Sequence, residues 1–447
     1  MRPVMRGAGS AMIVLFVLSL VLAPVGAAQD PDPAAVTIDR IYGSGDFRGD
    51  FFGQARWLDD GVFYTTLEPS TAVTGGRDLV RYETEKGVRT IVVSASLLMP
   101  EDAESAMSIQ DYQWSPDGTK LLVFTNSRRV WRQNTRGDYW VLDLENYELS
   151  QVGADRPESS LMFAKFDPAG ERVAYVSEHD IFVENIATGD VVRLTDDGSE
   201  TLINGTFDWV YEEEFSARDG FRWSPDGASI ALWQLDAEGV RDFLMINNTD
   251  SVYSYTIPVE YPKAGGTNSA ARVGVISSVG GETTWCDVPG DLRDNYIPRR
   301  EWAGDSDEIV IQRMNRHQNV NQVMLCEAAS GEAETVLTET DPAYLDAVSD
   351  WEWLDGNKEF TWVSERSGWR HLYRVSRDGK KVRAVTDDDD DWEIISIQRI
   401  DEDGGRVYFM ASPETATQRY LYRARLNGRG NAERLTPEDQ PGTHGYN

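Results

Sequence analysis

Short, largely apolar runs rich in β-formers recur along the chain, each preceded by turn residues. The pattern predicts β-strands at 120–124, 172–176, 229–233, 308–312, 359–363 and 406–410. A further run at 180–183 turns at Gly189 and Asp190 into 191–194, which predicts a hairpin within the same unit. Helical periodicity of useful length is confined to the N-terminal segment. The pattern therefore predicts an all-β protein.

A turn signature precedes these strands: an aromatic residue, then Ser or Asp, Pro, Asp or Ala, and Gly. Clear copies occupy 114–118, 166–170 and 223–227, and weaker copies begin at Trp57, Trp302, Trp353 and Ile400. Pro presets φ for a turn, and Gly accepts the positive φ needed where two strands reverse. Successive copies begin 47 to 57 residues apart, with one exception of 79. A period of this length is typical of propeller blades.

The period also predicts the number of blades. Residues 29–447 would form eight blades of about 52 residues each, so we expect an eight-bladed β-propeller, with seven blades as the alternative. A sandwich is disfavoured because it would not repeat at this length. The chain stops at 447, where another turn signature is due, and we therefore expect the last blade to be incomplete.

The long interval lies between Trp233 and Trp302 and is centred on residues 236–259. Long insertions in repeat proteins are usually loops or extra hairpins that serve function. The alternative is a surface insertion without a function.

The first 28 residues have the order of a secretory signal peptide. Arg2 and Arg6 precede an apolar run at 11–23, and small residues follow at 26–28. The run is shorter than the ~20 residues of a spanning helix and ends at Pro24, which disfavours an uncleaved anchor. We therefore expect a protein exported to the periplasm or secreted, without stable membrane insertion.

Composition disfavours two classes of partner. The chain is 40% hydrophobic and 11% aromatic, which predicts a large packed core. Its formal charge of -32 disfavours nucleic acid and anionic membrane surfaces.

Cys286 and Cys326 lack the spacing of a zinc or redox motif, and we expect free thiols, with a single disulfide as the alternative. No cofactor or metal is expected; the aspartates at 387–391 are read as a solvated hairpin tip.

Three adjacent carboxylates, Glu212, Glu213 and Glu214, stand beside Trp209 and Tyr211. Like charges repel, so a fold that holds them together usually does so for a cation. A peptide α-ammonium carries three donors and titrates near pH ~7.7 to 8.0, so two carboxylates can share it at neutral pH. The alternative interpretation is a solvated acidic turn.

Several segments resemble the propeller of dipeptidyl peptidase IV and its bacterial relatives in the prolyl oligopeptidase family of serine peptidases. Three of these segments are 208–215, 223–227 and 261–265. Others are 47–49, 130–132, 315–319 and 364–373. They follow the family's order across essentially the whole mature chain.

The resemblance implies roles for individual residues. Glu213 and Glu214 match the two glutamates that clamp the free amino terminus of a peptide, and Glu212 is then a supporting residue. Arg132, after Trp131, matches the arginine that binds a substrate backbone carbonyl; an ordinary surface arginine is the alternative. With the amine fixed, only the bond after the second residue reaches the nucleophile, so the clamp sets the cleavage position.

No catalytic residue is expected in this chain. It contains no Gly-x-Ser-x-Gly elbow. Its histidines, which lie in blade-like or terminal segments, are His179, His317, His371 and His444. In the family the triad belongs to an α/β-hydrolase domain after the propeller, and we expect that domain to be absent here.

Two functions follow. The first is the substrate-selecting propeller of an exported serine-type dipeptidyl peptidase that binds peptides with a free amino terminus; the resemblance implies a homodimer of the intact protein through the insertion at 236–259. The second is a stand-alone propeller that binds peptides or proteins without catalysis.

Overall fold

The computed structural model describes residues 35–49, 54–58, 61–101 and 103–446. The predicted signal peptide lies outside these ranges. None of the helices within them is both long and apolar enough to cross a membrane.

In these residues the strands form seven consecutive antiparallel units, and all but the fourth have four strands in chain order. The first three units are β1 to β4 (Ala55–Leu58, Phe63–Pro69, Arg77–Glu83, Arg89–Val93), β5 to β8 (Asp111–Trp114, Lys120–Val130, Gln133–Asp143, Leu149–Val152) and β9 to β12 (Leu161–Phe166, Arg172–Ser177, Asp180–Asn185, Val191–Arg193). The second and third units also pair through β7 and β9.

The fourth unit is more elaborate. It contains β13 to β15 (Leu202–Asn204, Phe221–Trp223, Ser229–Asp236), β18 (Ala270–Ser277) and β19 (Thr284–Trp285), and a separate hairpin, β16 and β17 (Asp242–Asn247, Tyr255–Glu260), interrupts it. The last three units are β20 to β23 (Asn295–Trp302, Glu308–Asn315, Val320–Glu327, Ala333–Thr340), β24 to β27 (Trp353–Leu354, Glu359–Ser364, His371–Ser376, Val382–Ala384) and β28 to β31 (Ile394–Asp401, Arg406–Ala411, Tyr420–Arg425, Glu433–Arg434). Two short helices, α1 (Ile38–Tyr42) and α2 (Trp209–Phe215), and a 3-10 turn at Ala95–Leu98 complete the described elements.

The buried core lies between successive units. Apolar clusters join each unit to the next along the chain, for example Phe221 and Trp223 of the fourth unit to Val176 of the third. Four-stranded sheets that repeat side by side in chain order are the blades of a β-propeller. The all-β propeller prediction is confirmed. The described residues contain seven such blades, and the eight-bladed count is not confirmed.

The strand predictions hold closely. Strands β6, β10, β15, β21, β25 and β29 begin at the residues where the six predicted runs begin. The turn signature joins the first and second strands of a blade, as between β5 and β6. There the Ser115 hydroxyl donates to Asp117 at 2.6 Å and accepts from the Lys120 amide at 2.8 Å, and Gly118 takes a φ of 72°.

The expectation of free thiols is wrong. Cys286, just after β19, and Cys326, in β22, form a disulfide with a Cα–Cα distance of 6.0 Å. The bond joins the fourth blade to the fifth. Spacing along the chain could not reveal it, because the contact depends on how two blades pack together.

Candidate functional site

A break in one strand positions the acidic residues. Strands β13 and β14 pair with the same edge of β15, at Leu202 to Asn204 and at Phe221 to Trp223 respectively. The chain leaves the sheet between them and forms α2, which carries the three glutamates. The segment is therefore a short helix inserted into the first strand of the fourth blade, and the sequence pattern did not predict that helix.

The first turn of α2 is held by a buried cap. Asp208 accepts a hydrogen bond from the Tyr211 amide at 2.9 Å, and the Ser269 hydroxyl donates to its other oxygen at 2.6 Å. Asp208 is 4% exposed, and burial raises the pKa of its carboxyl. An N-cap aspartate satisfies one of the helix's free amide donors, so it fixes where α2 begins.

The buried face of α2 ties it to the fifth blade. The Tyr211 hydroxyl accepts a hydrogen bond from the Ile297 amide at 3.0 Å, and the Phe215 carbonyl accepts one from the Arg299 guanidinium at 2.9 Å. Ser216 then ends the helix with a left-handed φ of 52°. Contacts at both ends give α2 a defined position despite its short length.

The three glutamates have different surroundings. Glu212 is buried, and its carboxylate lies 3.4 Å from the Arg218 guanidinium. Burial raises the pKa of Glu212, and Arg218 opposes that shift. Glu213 is half-buried and Glu214 is exposed. The two residues predicted to clamp an amine are thus the two that a ligand can reach.

The structure brings Arg132 to Glu213. Their side chains are 2.9 Å apart. Arg132 lies in the turn between the long strands β6 and β7, where Val130 pairs with Gln133. Its neighbour Trp131 takes a left-handed φ of 47°. A bulky residue rarely adopts this conformation, and such strain is concentrated at functional sites.

Aromatic contacts join this pair to Glu214. Trp131 stacks on Trp209 of α2 with ring centroids 6.2 Å apart, and Tyr261 contacts Trp209 edge-on at 5.7 Å. The Tyr261 hydroxyl donates to Glu214 at 2.9 Å, and this bond is the main reason why the pKa of Tyr261 is raised. The predicted residues Arg132, Glu213 and Glu214 therefore belong to one continuous cluster.

The cluster carries one net negative charge. Glu213 and Glu214 supply two, Arg132 cancels one, and Glu212 is balanced by Arg218. The Arg132 side chain is 66% exposed, so its pair with Glu213 is weak and easily exchanged. Two accessible carboxylates with a net charge of about minus one suit a monovalent cation that has several donors.

No roles were predicted from the sequence for Trp131, Trp209 and Tyr261. All three lie in segments that carry the family resemblance, but their contacts join distant parts of the chain. No pattern of spacing could have placed them together. Among the described residues, no group of three or more His, Cys, Asp or Glu side chains is arranged to hold a metal.

Comparison with known proteins decides the family. The sequence profile of the dipeptidyl peptidase IV (DPP IV) N-terminal region matches residues 115–446. The chain belongs to this family. The crystal structure of Porphyromonas gingivalis dipeptidyl peptidase 4 superposes with a TM-score of 0.81 at 26% identity, over 91% of this chain and 56% of that one.

Fungal relatives agree with this family assignment. Dipeptidyl peptidase 4 of Arthroderma otae is 27% identical over 70% of this chain and 41% of its own length. A Chaetomium globosum protein named "Probable dipeptidyl-aminopeptidase B" is 26% identical over 92% of this chain and 48% of its own length. The chain thus spans about half the length of the curated relatives it matches.

Proposed function

We propose that this DPP IV N-terminal region is the substrate-selecting propeller of an exported serine-type dipeptidyl peptidase. Glu213 and Glu214 bind the free amino terminus of a peptide, and Arg132 binds a backbone carbonyl near it. Peptide bond cleavage is carried out by a hydrolase domain outside this chain. The ammonium is held at a fixed point, so dipeptides are released.

One observation carries the proposal: Arg132 and the accessible glutamates of α2 meet in one cluster. A peptide's first residues present an ammonium and then a carbonyl, which require acceptors and a donor side by side. Glu213 and Glu214 supply the acceptors, and the Arg132 guanidinium supplies donors beside them. Hydrogen bonds to charged groups contribute about 1.5 to 3 kcal/mol each, so loss of the ammonium charge should be measurable.

The test compares a short peptide having a free amino terminus with the same peptide acetylated at that nitrogen. Calorimetric titration into the 447-residue chain should show at least about tenfold tighter binding of the free peptide. Equal affinities would refute the amine clamp. A peptide amidated at its carboxyl end is the matched control, because the clamp does not involve that end.

The disulfide supports export. Disulfide bonds form and persist in oxidising compartments such as the bacterial periplasm and are rare in the cytosol. Cys286 and Cys326 are bonded in this chain. Export predicts that processed protein recovered from the periplasm or medium lacks residues 1–28, which mass spectrometry of the intact chain would show. Recovery of the full-length chain in the cytosol would count against it.

We also propose that the hairpin β16 to β17 is the homodimer contact of the intact protein. The hairpin exposes the apolar side chains of Leu244 (58%), Ile246 (74%) and Tyr253 (84%). Exposed apolar area of this kind does not stabilise a monomer and is typical of an interaction surface. Light scattering should show a dimer that Leu244→Glu with Ile246→Glu converts to monomer. Val279→Glu, an equally exposed position outside the hairpin, is the control. An unchanged mass in the double variant would contradict the proposal.

A further inference from the structure

A cavity of about 570 Å³ is lined by strands of the first three blades and by Asp219, which follows α2. Its volume is that of a typical site for a small ligand. Six aromatic side chains line it: Trp57, Tyr112, Trp114, Phe124, Tyr139 and Phe163. They come from β1, β5, β6, β7 and β9. Such a concentration of rings in one cavity wall favours an aromatic or apolar ligand.

The charged side chains in the wall neutralise one another. Arg56 lies 2.5 Å from Asp111, and the Lys165 ammonium lies 2.5 Å from Asp219. Lys165 also donates to the Phe221 carbonyl at 3.0 Å. Burial lowers the pKa of Lys165 to about 8. Because each cation already has its carboxylate, the cavity offers no free charge, and a neutral group fits it better than an ion.

Phe163 gives an independent reason to expect a ligand. It takes a left-handed φ of 55° at an irregularity in the pairing of β9 with β10, where the register shifts opposite Ala174 and Val176. A bulky aromatic residue in this conformation is strained, whereas glycine would adopt the φ of the bulge without strain. Phe163 lines the cavity and also packs against the apolar cluster between the third and fourth blades. Strain of this kind is concentrated at ligand sites.

We propose that this cavity is a second binding site, which takes an uncharged aromatic side chain of a peptide. The aromatic ring of the bound peptide packs among Trp57, Trp114 and Phe163. The peptide backbone lies at the rim, beside the exposed amide of Gln113. This site goes beyond the amine clamp and does not depend on it.

The test uses a probe that the clamp cannot hold. N-acetyl-L-tryptophanamide has no free amine, and N-acetyl-L-alaninamide is its matched control without a ring. Ligand-observed NMR titration of the chain should show saturable binding of the tryptophan probe and at least about threefold weaker binding of the alanine probe. Glu213→Gln with Glu214→Gln should bind the tryptophan probe as the native chain does, so failure of the clamp and failure of this site are distinguishable.

Two variants locate the binding. Phe163→Gly removes the ring at a φ that glycine accepts, and Trp57→Ala removes a side chain already 51% exposed, so both should fold. Each should weaken binding of the tryptophan probe about threefold to tenfold. Trp369→Ala, an exposed aromatic in another blade, should leave it unchanged. Equal binding of the two probes, or full binding by both cavity variants, would overturn the proposal.

Discussion

The Arg132 guanidinium lies 2.9 Å from the Glu213 carboxylate, although Arg132 belongs to the second blade and Glu213 to a helix of the fourth. The long hairpin β6 to β7 carries Arg132, and the interruption between β13 and β14 holds the helix that carries Glu213. Both features bring the two side chains together. The pair is largely solvent-exposed and contributes little to stability. Under the proposed function, an incoming ammonium would share Glu213 with Arg132.

Replacing Arg132 separates its proposed bond to the peptide carbonyl from its competition with the ammonium for Glu213. Arg132→Met should weaken binding of a free-amine peptide about tenfold or more, since a charged hydrogen bond to the backbone carbonyl is lost. Binding of propylamine, which has no carbonyl, should stay equal or become tighter because Glu213 loses a competing cation. NMR titration of both ligands measures the difference.

The neighbouring Arg129, exposed on the same hairpin, supplies the control. Arg129→Met changes the net charge equally and should leave peptide affinity within about twofold, the effect expected of a screened surface charge. An equal loss in both variants would show that Arg132 acts only through long-range charge.

Tyr261 positions Glu214. Tyr261→Phe keeps the edge-on contact with Trp209 and removes the hydroxyl that donates to Glu214. We expect about threefold to tenfold weaker binding of free-amine peptides and little change in thermal stability, because the bond is at the surface. Tyr255→Phe, on the exposed hairpin, is the control. Full peptide affinity in Tyr261→Phe would mean that Glu214 does not need this bond.

The buried cap of α2 predicts a pH dependence. The folded pKa of Asp208 is raised above its ordinary 3.8, so the folded state binds this proton more tightly than the unfolded state. As pH rises from the pKa of Asp208 in the unfolded state to its pKa in the folded state, the contribution of Asp208 to the free energy of unfolding falls. Asp208→Asn is an equally good cap without charge. Relative to the native chain, its stability should rise as pH increases above the ordinary Asp208 pKa of 3.8.

Urea unfolding of both proteins across that range measures the difference. Asp208→Ala should be about 1 kcal/mol less stable than Asp208→Asn at every pH, because neither variant titrates at this position and only the alanine lacks the cap. A stability difference between Asp208→Asn and the native chain that does not change with pH would contradict the raised pKa.

The disulfide should stabilise the contact between the fourth and fifth blades. It closes a loop with a sequence separation of 40, for which the chain-entropy model gives about 4 kcal/mol. Cys286→Ala with Cys326→Ala should therefore unfold at lower urea, and a reducing agent should destabilise only the native chain. Identical unfolding of the native chain with and without reductant would contradict the bond.

Much of the fold could be predicted from local pattern. The apolar β-rich runs and the turn signature are short-range features, and the six strands begin where the sequence placed them. The number of blades was harder, because residues 236–259 lengthen one interval and the count depends on how the whole chain is divided. The Cys286–Cys326 bond was missed because it joins two blades.

The site, like the fold, could be predicted only in part. Resemblance to a family assigned Glu213, Glu214 and Arg132, and the structure brings them into one cluster. The aromatic connection through Trp209 and Tyr261 could not be predicted, because it depends on the break between β13 and β14 that allows α2 to form. A seven-residue helix is also too short to leave a periodic signal.

The central claim is that Glu213 and Glu214 recognise the charged amino terminus of a peptide. The most direct measurement is the ratio of affinities for a free and an acetylated peptide, determined for the native chain and for Glu213→Gln with Glu214→Gln. The native chain should prefer the free peptide at least about tenfold, and the double variant should bind both equally. A preference that survives in the double variant would contradict the claim.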